Sequence, residues 1–389
     1  MKNNQSLGKG TRAVHAGVEP DPSTGAIMTP IFQTSTYVQE AVGVHKGWEY
    51  SRSHNPTRAA LESALATLEN GTHGLAFASG LAAIDTVLKT LKPGDEVISG
   101  EDLYGGTARL FRANYAPMGI VFHFVDTQQP AMVEAAINEN TRLVWLESPT
   151  NPVMQITDIS AIAALTKPRG ILLAVDNTFA SPMLQRPIEH GADIVMHSVT
   201  KYLGGHSDVV MGALISASAE INAPLQTIQN NCGAIAQPFD SFLVLRGLKT
   251  LHLRIERHCT NGRKVAHWLR EHPGVGKVYW PGLEDHPGHD IAARQMDDFG
   301  GMIGFEIATK NEDQAKAIVA STELFALAES LGGVESLIEH PATMTHASVS
   351  AEVRDKLGIS GGFIRLSVGV EDAEDLIADL DQAFKKAGV

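Results

Sequence analysis

The sequence predicts an α/β protein whose main domain holds a mostly parallel sheet with helices on both faces, followed by a smaller C-terminal α+β domain. Three observations support this fold class. Short apolar runs alternate with helical patterns between residues 56 and 250. Polar, glycine-rich turns follow several of these runs. The chain has 389 residues, 43% of them hydrophobic, which is enough for two domains with substantial cores.

The order of these patterns divides the chain into three parts. Residues 1–55 are rich in glycine, proline, serine and threonine without clear periodicity, which predicts an extended arm lying against a neighbouring subunit. Residues 56–250 form the large domain, with predicted helices at 58–68 and 81–91 and predicted strands at 75–78, 96–99, 121–125, 143–147, 171–175, 193–197 and 210–216. Residues 251–389 form the smaller domain, entered through a helical stretch at 239–272, with strands at 304–308 and 363–368 and a helix at 373–385.

Composition excludes several classes of function. The net charge of −13, with no basic block, argues against nucleic acid as a partner. No apolar run reaches membrane-spanning length, and residues 1–5 lack the apolar core of a secretion signal. Cys232 and Cys259 have neither metal-ligand nor disulfide spacing, so we expect two buried thiols in a cytoplasmic protein. His286-Pro287-Gly288-His289 has no companion ligands at metal-site spacing and is predicted to be a turn.

A lysine and an aspartate follow two successive strands of the predicted sheet. Lys201 comes just after strand 193–197 and Asp176 just after strand 171–175, one strand–helix–strand step earlier. Either residue alone is more often a solvated lysine or a helix N-cap. Together, on the same edge of a parallel sheet, they match what pyridoxal phosphate (PLP) requires: an amine for a Schiff base and a carboxylate that keeps the pyridine nitrogen protonated.

Further segments extend this match over most of the chain. They are Tyr50 to Arg58, Ser79 to Ala83, Asp102 to Thr107, Glu147 to Pro152, Val175 to Thr178 and Ser198 to His206. In this order, from about Thr11 to the C-terminus, the chain resembles the PLP-dependent enzymes of cysteine and methionine metabolism, which include cystathionine γ-lyases, γ-synthases and β-lyases and methionine γ-lyases. The resemblance implies an aspartate aminotransferase-like fold (fold type I), PLP as cofactor, and a homotetramer built as a dimer of dimers with active sites shared between subunits.

The resemblance assigns the phosphate of PLP to a helix N-terminus. Ser79-Gly80-Leu81 lies between a predicted strand and a helix, where backbone amides form an anion site, although an ordinary serine N-cap has the same pattern. By resemblance, the backbone of Gly80 and Leu81 and the hydroxyls of Ser198 and Thr200 bind this phosphate.

Three aromatic and basic residues complete the cofactor site implied by the resemblance. Tyr104, beside two glycines, stacks on the pyridine ring and deprotonates the incoming amine; a core tyrosine is the alternative. Tyr50 and Arg52, on the arm, reach the phosphate site of the neighbouring subunit; a surface arginine is the alternative. This reading predicts at least an obligate dimer.

Arg365 is a charge within an otherwise mainly apolar predicted strand, so it requires a partner. The resemblance makes that partner the substrate α-carboxylate, and an internal salt bridge is the alternative. Asn151 is expected to assist Arg365 and to touch the ring hydroxyl oxygen. Ser330 is expected to steady the lysine or the carboxylate region.

The choice among reactions depends on a few positions. Gly106 stands where methionine γ-lyases carry a cysteine, and Glu329 stands where β-lyases usually have an uncharged residue. Glu49 and Arg109 add charges near the distal end of the substrate, where Tyr50 is also expected; solvated surface charges are the alternative. This pattern favours a cystathionine γ-lyase, with Lys201 as proton carrier. A cystathionine γ-synthase is the close alternative, and a nucleotide-binding α/β protein without covalent cofactor is a third, which no glycine-rich phosphate loop supports.

Overall fold

Two β-sheets organise the chain in this computed structural model, which describes residues 7–347 and 351–389. The strands of the first sheet are β1 (His73–Phe77), β2 (Glu96–Gly100), β3 (Val121–Val125), β4 (Thr141–Glu147), β5 (Leu172–Asp176), β6 (Ile194–Ser198) and β7 (Gly212–Ser216). Their spatial order is β1-β7-β6-β5-β4-β2-β3. The pairs from β6 to β3 are all parallel, whereas β7 is antiparallel to both of its neighbours. The predicted mostly parallel sheet is therefore confirmed.

The second sheet follows in the chain and is smaller. Its strands are β8 (Val275–Tyr279), β9 (Met302–Ile307), β10 (Ala326–Leu327), β11 (Leu337–Glu339) and β12 (Phe363–Ser367). Their spatial order is β10-β11-β12-β9-β8, and only the β10–β11 pair is parallel. This sheet and its helices match the predicted α+β unit, while the domain boundary at residue 250 remains a prediction.

Fourteen α-helices lie within the described residues. They are α1 (Lys9–His15), α2 (Pro56–Leu68), α3 (Gly80–Leu88), α4 (Gly105–Arg109), α5 (Pro130–Ala136), α6 (Ile159–Thr166), α7 (Ser181–Leu184), α8 (Ala219–Cys232), α9 (Pro238–Leu248), α10 (Leu251–Glu271), α11 (His289–Gln295), α12 (Glu312–Ser321), α13 (Ala351–Leu357) and α14 (Ala373–Ala387). A π-helical stretch, Leu110–Tyr115, continues α4. None of the described helices is long and apolar enough to cross a membrane.

Helix α2 shows how local sequence fixes the start of an element. The side chain of Asn55 accepts hydrogen bonds from the amides of Thr57 and Arg58, and Pro56 occupies the first helical position, where its missing N–H costs nothing. The helix therefore begins two residues before the predicted start. Such caps matter here because α2 packs against β1 and α9 at the edge of the large sheet.

The central strands are apolar throughout because helices cover both faces of the sheet. In β5, Ala174 packs into the core on one face, while Leu173 and Val175 pack into the core on the other. Helix α10 joins this layered structure to the second sheet. Its first half contributes Leu251 and Cys259 to the core of the large sheet, and its second half contributes residues to the core of the small one.

The two cysteines differ in exposure. Cys259 is buried, as predicted, but the expectation of burial is wrong for Cys232, which is exposed. Cys232 is the last residue of α8, a helix of low mean hydropathy that turns only part of its surface to the core, so its C-terminal end meets solvent. His286 to Gly288 form the predicted turn, and no group of three or more metal-ligating side chains occurs among the described residues.

The N-terminal arm is partly helical. Helix α1 packs against α2 and α10, which the lack of periodicity did not predict. Beyond it the chain is irregular and carries apolar side chains that are almost fully exposed: Ile27 at 84%, Val38 at 94% and Val42 at 102%. The predicted contact of this arm with another subunit remains a prediction.

Candidate active site

A pocket of about 320 Å³ opens at the carboxyl ends of β4, β5 and β6, a volume suited to a ring-sized ligand. The sites predicted from sequence come together here. The predicted residues that line it are Gly80, Leu81, Tyr104, Asn151, Asp176, Ser198, Thr200, Lys201, Glu329, Ser330 and Arg365. Four predicted residues do not line it: Glu49, Tyr50, Arg52 and Arg109.

Lys201 follows β6 by three residues, as the sequence predicted, and lines the same pocket as Asp176, the last residue of the parallel neighbour β5. Its Nζ donates a hydrogen bond of 2.7 Å to Ser330 Oγ. Burial, together with the nearby Arg365 guanidinium, lowers the pKa of Lys201 to about 8. Ser330 has a φ of 98°, a left-handed conformation that serine seldom adopts, and such backbone strain clusters at functional sites.

Asp176 supplies a buried carboxylate in the middle of the pocket floor. Its Oδ1 accepts hydrogen bonds from the amide (3.0 Å) and hydroxyl (2.5 Å) of Thr178. Burial raises the pKa of Asp176, and the bonds from Thr178 oppose that rise. Among the described residues, no cationic side chain forms an ion pair with this carboxylate within 4 Å. A ligand that brings a positive charge would compensate it. A protonated pyridine nitrogen fits this requirement.

The N-terminus of α3 forms the anion-binding side of the pocket. Ser79 Oγ accepts a hydrogen bond from the amide of Ala82 at 3.1 Å, so Ser79 is an N-cap, the alternative that the sequence left open beside a phosphate site. A Cβ at position 80 would lie 3.1 Å from Met196 Cε and 3.3 Å from Ser198 Cβ, a close contact that glycine avoids. Thr200 Oγ1 is held by the backbone of Met211, donating at 3.2 Å and accepting at 3.0 Å. The amides in the first turn of α3, beside the hydroxyls of Ser198 and Thr200, suit a phosphate.

Arg365 occupies the opposite side of the pocket, where it is buried. Its Nη1 donates to Asn151 Oδ1 at 2.7 Å and lies 3.0 Å from Glu339 Oε1, and its Nη2 donates to the carbonyl oxygen of Ser330 at 2.8 Å. The internal salt bridge that the sequence left open as an alternative therefore exists. Arg365 Nε is buried and has no hydrogen-bond partner in the described protein, so one donor stays available for a carboxylate.

Tyr104 stands at the start of α4 with its side chain at the pocket. A Cβ at position 106 would lie 2.4 Å from Tyr104 Cε1, so the ring holds its place only because residue 106 is a glycine. Burial raises the pKa of Tyr104, while the positive charge of Arg109 lowers it. Arg109 is thus close enough to act on the tyrosine, although it does not line the pocket.

The arm residues lie away from the pocket of their own chain. Tyr50 is 47% exposed, and the centre of the Tyr50 ring lies 5.7 Å from the guanidinium carbon of Arg52. Arg52 also donates to the carbonyl oxygen of Asn230 at 3.2 Å, and Glu49 pairs with His45 at 3.3 Å. The predicted contacts of Glu49, Tyr50 and Arg52 with a neighbouring subunit remain predictions.

Sequence reasoning missed three polar residues that shape the pocket. Thr178 lies two positions after Asp176, a spacing at which hydroxyls commonly bond to an aspartate, so it could have been found. Glu147 ends β4 within a segment already singled out, but no role was assigned to it. Glu339 reaches Arg365 through the antiparallel register of β11 and β12, which no local pattern reveals.

Comparisons with known proteins agree with this geometry. Residues 10–385 match the model of the Cys/Met metabolism PLP-dependent enzyme family. A cystathionine β-lyase of Coxiella burnetii is 53% identical over 98% of this chain and 99% of its own. A cystathionine γ-synthase of Mycobacterium bovis is 50% identical over 97% of each chain. The crystal structure of a cystathionine γ-lyase of Lactobacillus plantarum complexed with L-serine superposes with a TM-score of 0.95, at 46% identity, over 98% of this chain and 100% of that one.

Proposed function

Because the chain belongs to the Cys/Met metabolism PLP-dependent enzyme family, and therefore uses PLP, we propose that it is a cystathionine γ-lyase. The reaction would convert L-cystathionine and water into L-cysteine, 2-oxobutanoate and ammonia. The relatives named above carry out three different reactions at similar identity, so overall similarity does not choose among them. The proposal is carried by the carboxylate of Glu329 at the pocket, which stands against a β-lyase. By resemblance γ-lyases and γ-synthases share this glutamate, and Glu49 inclines the choice towards the lyase.

Glu329 would recognise the distal end of the substrate. It is exposed, it lines the pocket, and its charge acts on Lys201, Tyr104 and Arg365. Cystathionine carries a second amino-acid group at its far end, and the ammonium of that group suits a carboxylate at this place. Glu49 and Arg109 would add to this recognition, Glu49 from the neighbouring subunit.

We assign the residues that hold PLP as follows. Lys201 would bind its carbonyl carbon, Asp176 its ring nitrogen, Tyr104 its ring face and Asn151 its ring hydroxyl oxygen. The phosphate would be bound by the amides and hydroxyls of Gly80, Leu81, Ser198 and Thr200, joined by Tyr50 and Arg52 of a second subunit. When bound, PLP withdraws electrons from the substrate α-carbon and so makes its proton acidic.

The protein's own residues would then bind, orient and move protons. Arg365, held by Asn151 and Ser330, would bind the substrate α-carboxylate. Tyr104 would accept a proton from the substrate amine. Lys201 would remove the α-proton, give that proton up again and, as a neutral amine once more, remove a β-proton. The electron pair of the broken Cβ–H bond would form a double bond as the γ-carbon–sulfur bond breaks and the thiolate leaves. A pKa of about 8 places Lys201 near ambient pH, where a proton carrier works best.

A cystathionine γ-synthase is the second candidate. The γ-synthase of Mycobacterium bovis is 50% identical to this chain, and the same pocket residues would serve that reaction. In that case the bond between the γ-carbon and the ester oxygen of an O-acyl-homoserine would break, a carboxylate would leave, and the thiolate of cysteine would bond to the γ-carbon. The nucleotide-binding alternative is set aside, because membership of the family entails a covalently bound cofactor.

Product identification with the PLP-loaded protein tests the proposal. L-Cystathionine alone is expected to yield cysteine and 2-oxobutanoate, and Glu329→Gln is expected to raise KM for cystathionine about tenfold through loss of one charge pair. Glu139→Gln, the same substitution at an exposed site, is the matched control. Release of homocysteine and pyruvate, or dominant synthesis of cystathionine from O-acyl-homoserine and cysteine, would overturn the choice of reaction.

A further inference from the structure

Glu147 is a buried carboxyl of the pocket that the proposed reaction does not use. It is the last residue of β4, it is 6% exposed, and it lines the pocket. Its Cα pairs in register with that of Asp176 on β5, so two acids stand side by side at the ends of neighbouring strands. None of the ion pairs in the described part of the chain involves Glu147. A buried acid without a counter-ion requires another reason to be there.

Both carboxyl oxygens of Glu147 accept hydrogen bonds from backbone amides of other pocket segments. Oε2 accepts from the amide of Tyr104 at 2.9 Å, and Oε1 accepts from the amide of Asn151 at 3.0 Å. Tyr104 precedes α4, whereas Asn151 lies in the loop after β4. The side chain of Asn151 in turn accepts from Arg365 at 2.7 Å. One carboxyl therefore connects the segment of the tyrosine to the asparagine–arginine pair.

We propose that Glu147 is a positioning residue that fixes Tyr104 and Asn151 relative to each other, and through Asn151 fixes Arg365. The inference rests on the proposed function in so far as Tyr104 contacts the PLP ring and Arg365 binds the substrate carboxylate. The two amides are satisfied by protein acceptors, and Glu147 supplies both acceptors from the end of one strand.

A purely electrostatic role fits the structure less well. Burial, with the neighbouring Asp176 adding to it, raises the pKa of Glu147 well above its ordinary value. In either charge state each oxygen keeps a lone pair for an amide, so the two hydrogen bonds do not depend on the charge of Glu147. The hydrogen-bond geometry is therefore the feature that the protein uses.

The two conservative substitutions disturb this geometry in different ways. In Glu147→Gln one oxygen becomes an NH₂ group, which faces an amide N–H and cannot accept from it. In Glu147→Asp both oxygens remain, but the side chain is shorter by one carbon–carbon bond, about 1.5 Å, so it cannot reach both amides at once. We expect the glutamine variant to be the more impaired of the two.

The experiment compares PLP-loaded wild type, Glu147→Gln, Glu147→Asp and the exposed control Glu139→Gln. Glycine, which has only the amine and the carboxylate that every substrate shares, is titrated against the absorbance of the bound PLP, and visible circular dichroism reports the orientation of the PLP ring. We expect unchanged PLP content, glycine binding about tenfold weaker in Glu147→Gln and about threefold weaker in Glu147→Asp, and altered visible ellipticity in both. The control is expected to match wild type.

Two results would overturn the proposal. One is a Glu147 variant with wild-type glycine affinity and ellipticity; should Glu147→Gln not fold, Glu147→Asp decides by the same criterion. The other is parallel loss of PLP and glycine binding, which would make Glu147 a general structural residue. Glycine contains no sulfur, so the outcome is independent of lyase or synthase activity. A wild type that binds glycine but processes neither substrate would overturn the proposed function alone.

Discussion

Replacing Lys201 by methionine is predicted to stabilise the PLP-free protein. Methionine keeps a similar length and volume without the ammonium group, so it removes a buried charge and leaves little cavity. Functional groups held in unfavourable surroundings commonly cost stability, and Lys201 is the clearest case in this pocket. The prediction concerns the PLP-free protein, because bound PLP would form a Schiff base with the amine of Lys201.

The magnitude follows from the pKa of Lys201. Burial lowers it from 10.5 to about 8, which at roughly 1.4 kcal/mol per pH unit corresponds to about 3 kcal/mol against the charged form below pH 8. The methionine variant loses the hydrogen bond from Nζ to Ser330 Oγ, worth about 1 kcal/mol. A net gain of about 2 kcal/mol at pH 7 is therefore expected.

The pH dependence gives the sharper test. Between pH 8 and 10.5 the folded protein binds fewer protons at Lys201 than the unfolded chain does, so the stability of wild type rises with pH relative to the variant. The advantage of Lys201→Met should be full below pH 8 and disappear by about pH 10.5. Denaturant midpoints of both proteins, measured at pH 7 and pH 10 and at one protein concentration, provide the comparison.

Lys92→Met is the matched control, because Lys92 is exposed and its substitution should leave the difference between the two pH values unchanged. A Lys201→Met protein that is less stable than wild type at pH 7 would refute the reasoning. So would an advantage that is the same at pH 7 and pH 10, since it would come from packing rather than from charge.

Three further predictions concern other parts of the site. Gly106→Ala places a Cβ 2.4 Å from the ring of Tyr104, so the ring must shift by about 1 Å. Steady-state kinetics should therefore show that kcat/KM for the physiological substrate falls about tenfold or more. Burial raises the pKa of Asp102 from 3.8 to about 7, so ionising this carboxyl lowers the stability of the folded protein more as pH rises. Asp102→Asn should therefore stabilise the protein, by about 3 kcal/mol more at pH 8.5 than at pH 5 in chemical denaturation. An effect that does not change with pH would contradict this. If active sites are shared between subunits, co-assembly of inactive Arg52→Ala and Lys201→Ala chains should restore about a quarter of wild-type activity, whereas no recovery would contradict sharing.

The parts of the fold that the sequence predicted are those with strong local patterns. Strands β4, β5 and β6 read as continuous apolar runs because both sheet faces are covered. Strand β8 was not predicted, since it lies at a sheet edge and contains an exposed glycine and lysine among half-buried residues. Strand β11 has only three residues, too few to show any period.

The candidate site divides in the same way. Lys201 and Asp176 could be placed together from chain spacing alone, because one strand–helix–strand step makes their strands parallel neighbours, as the β5–β6 pairing confirms. The resemblance to a family named most other pocket residues. Neither route indicated how those residues are fixed relative to each other, which depends on contacts between distant segments.

The arginine–glutamate pair shows why such contacts escape sequence analysis and why they matter. Glu339 meets Arg365 only because β11 and β12 pair antiparallel in that register, and a shift of one residue would turn the two side chains to opposite faces. Arg365 is thus neutralised before any substrate arrives, while Glu147 fixes Asn151 on its other side. A guanidinium held from both sides keeps its unpaired Nε in a fixed place, so binding to it would cost little reorganisation. In the proposed function, where Arg365 binds the substrate carboxylate, that binding therefore depends on two acids, neither of which is expected to touch the substrate.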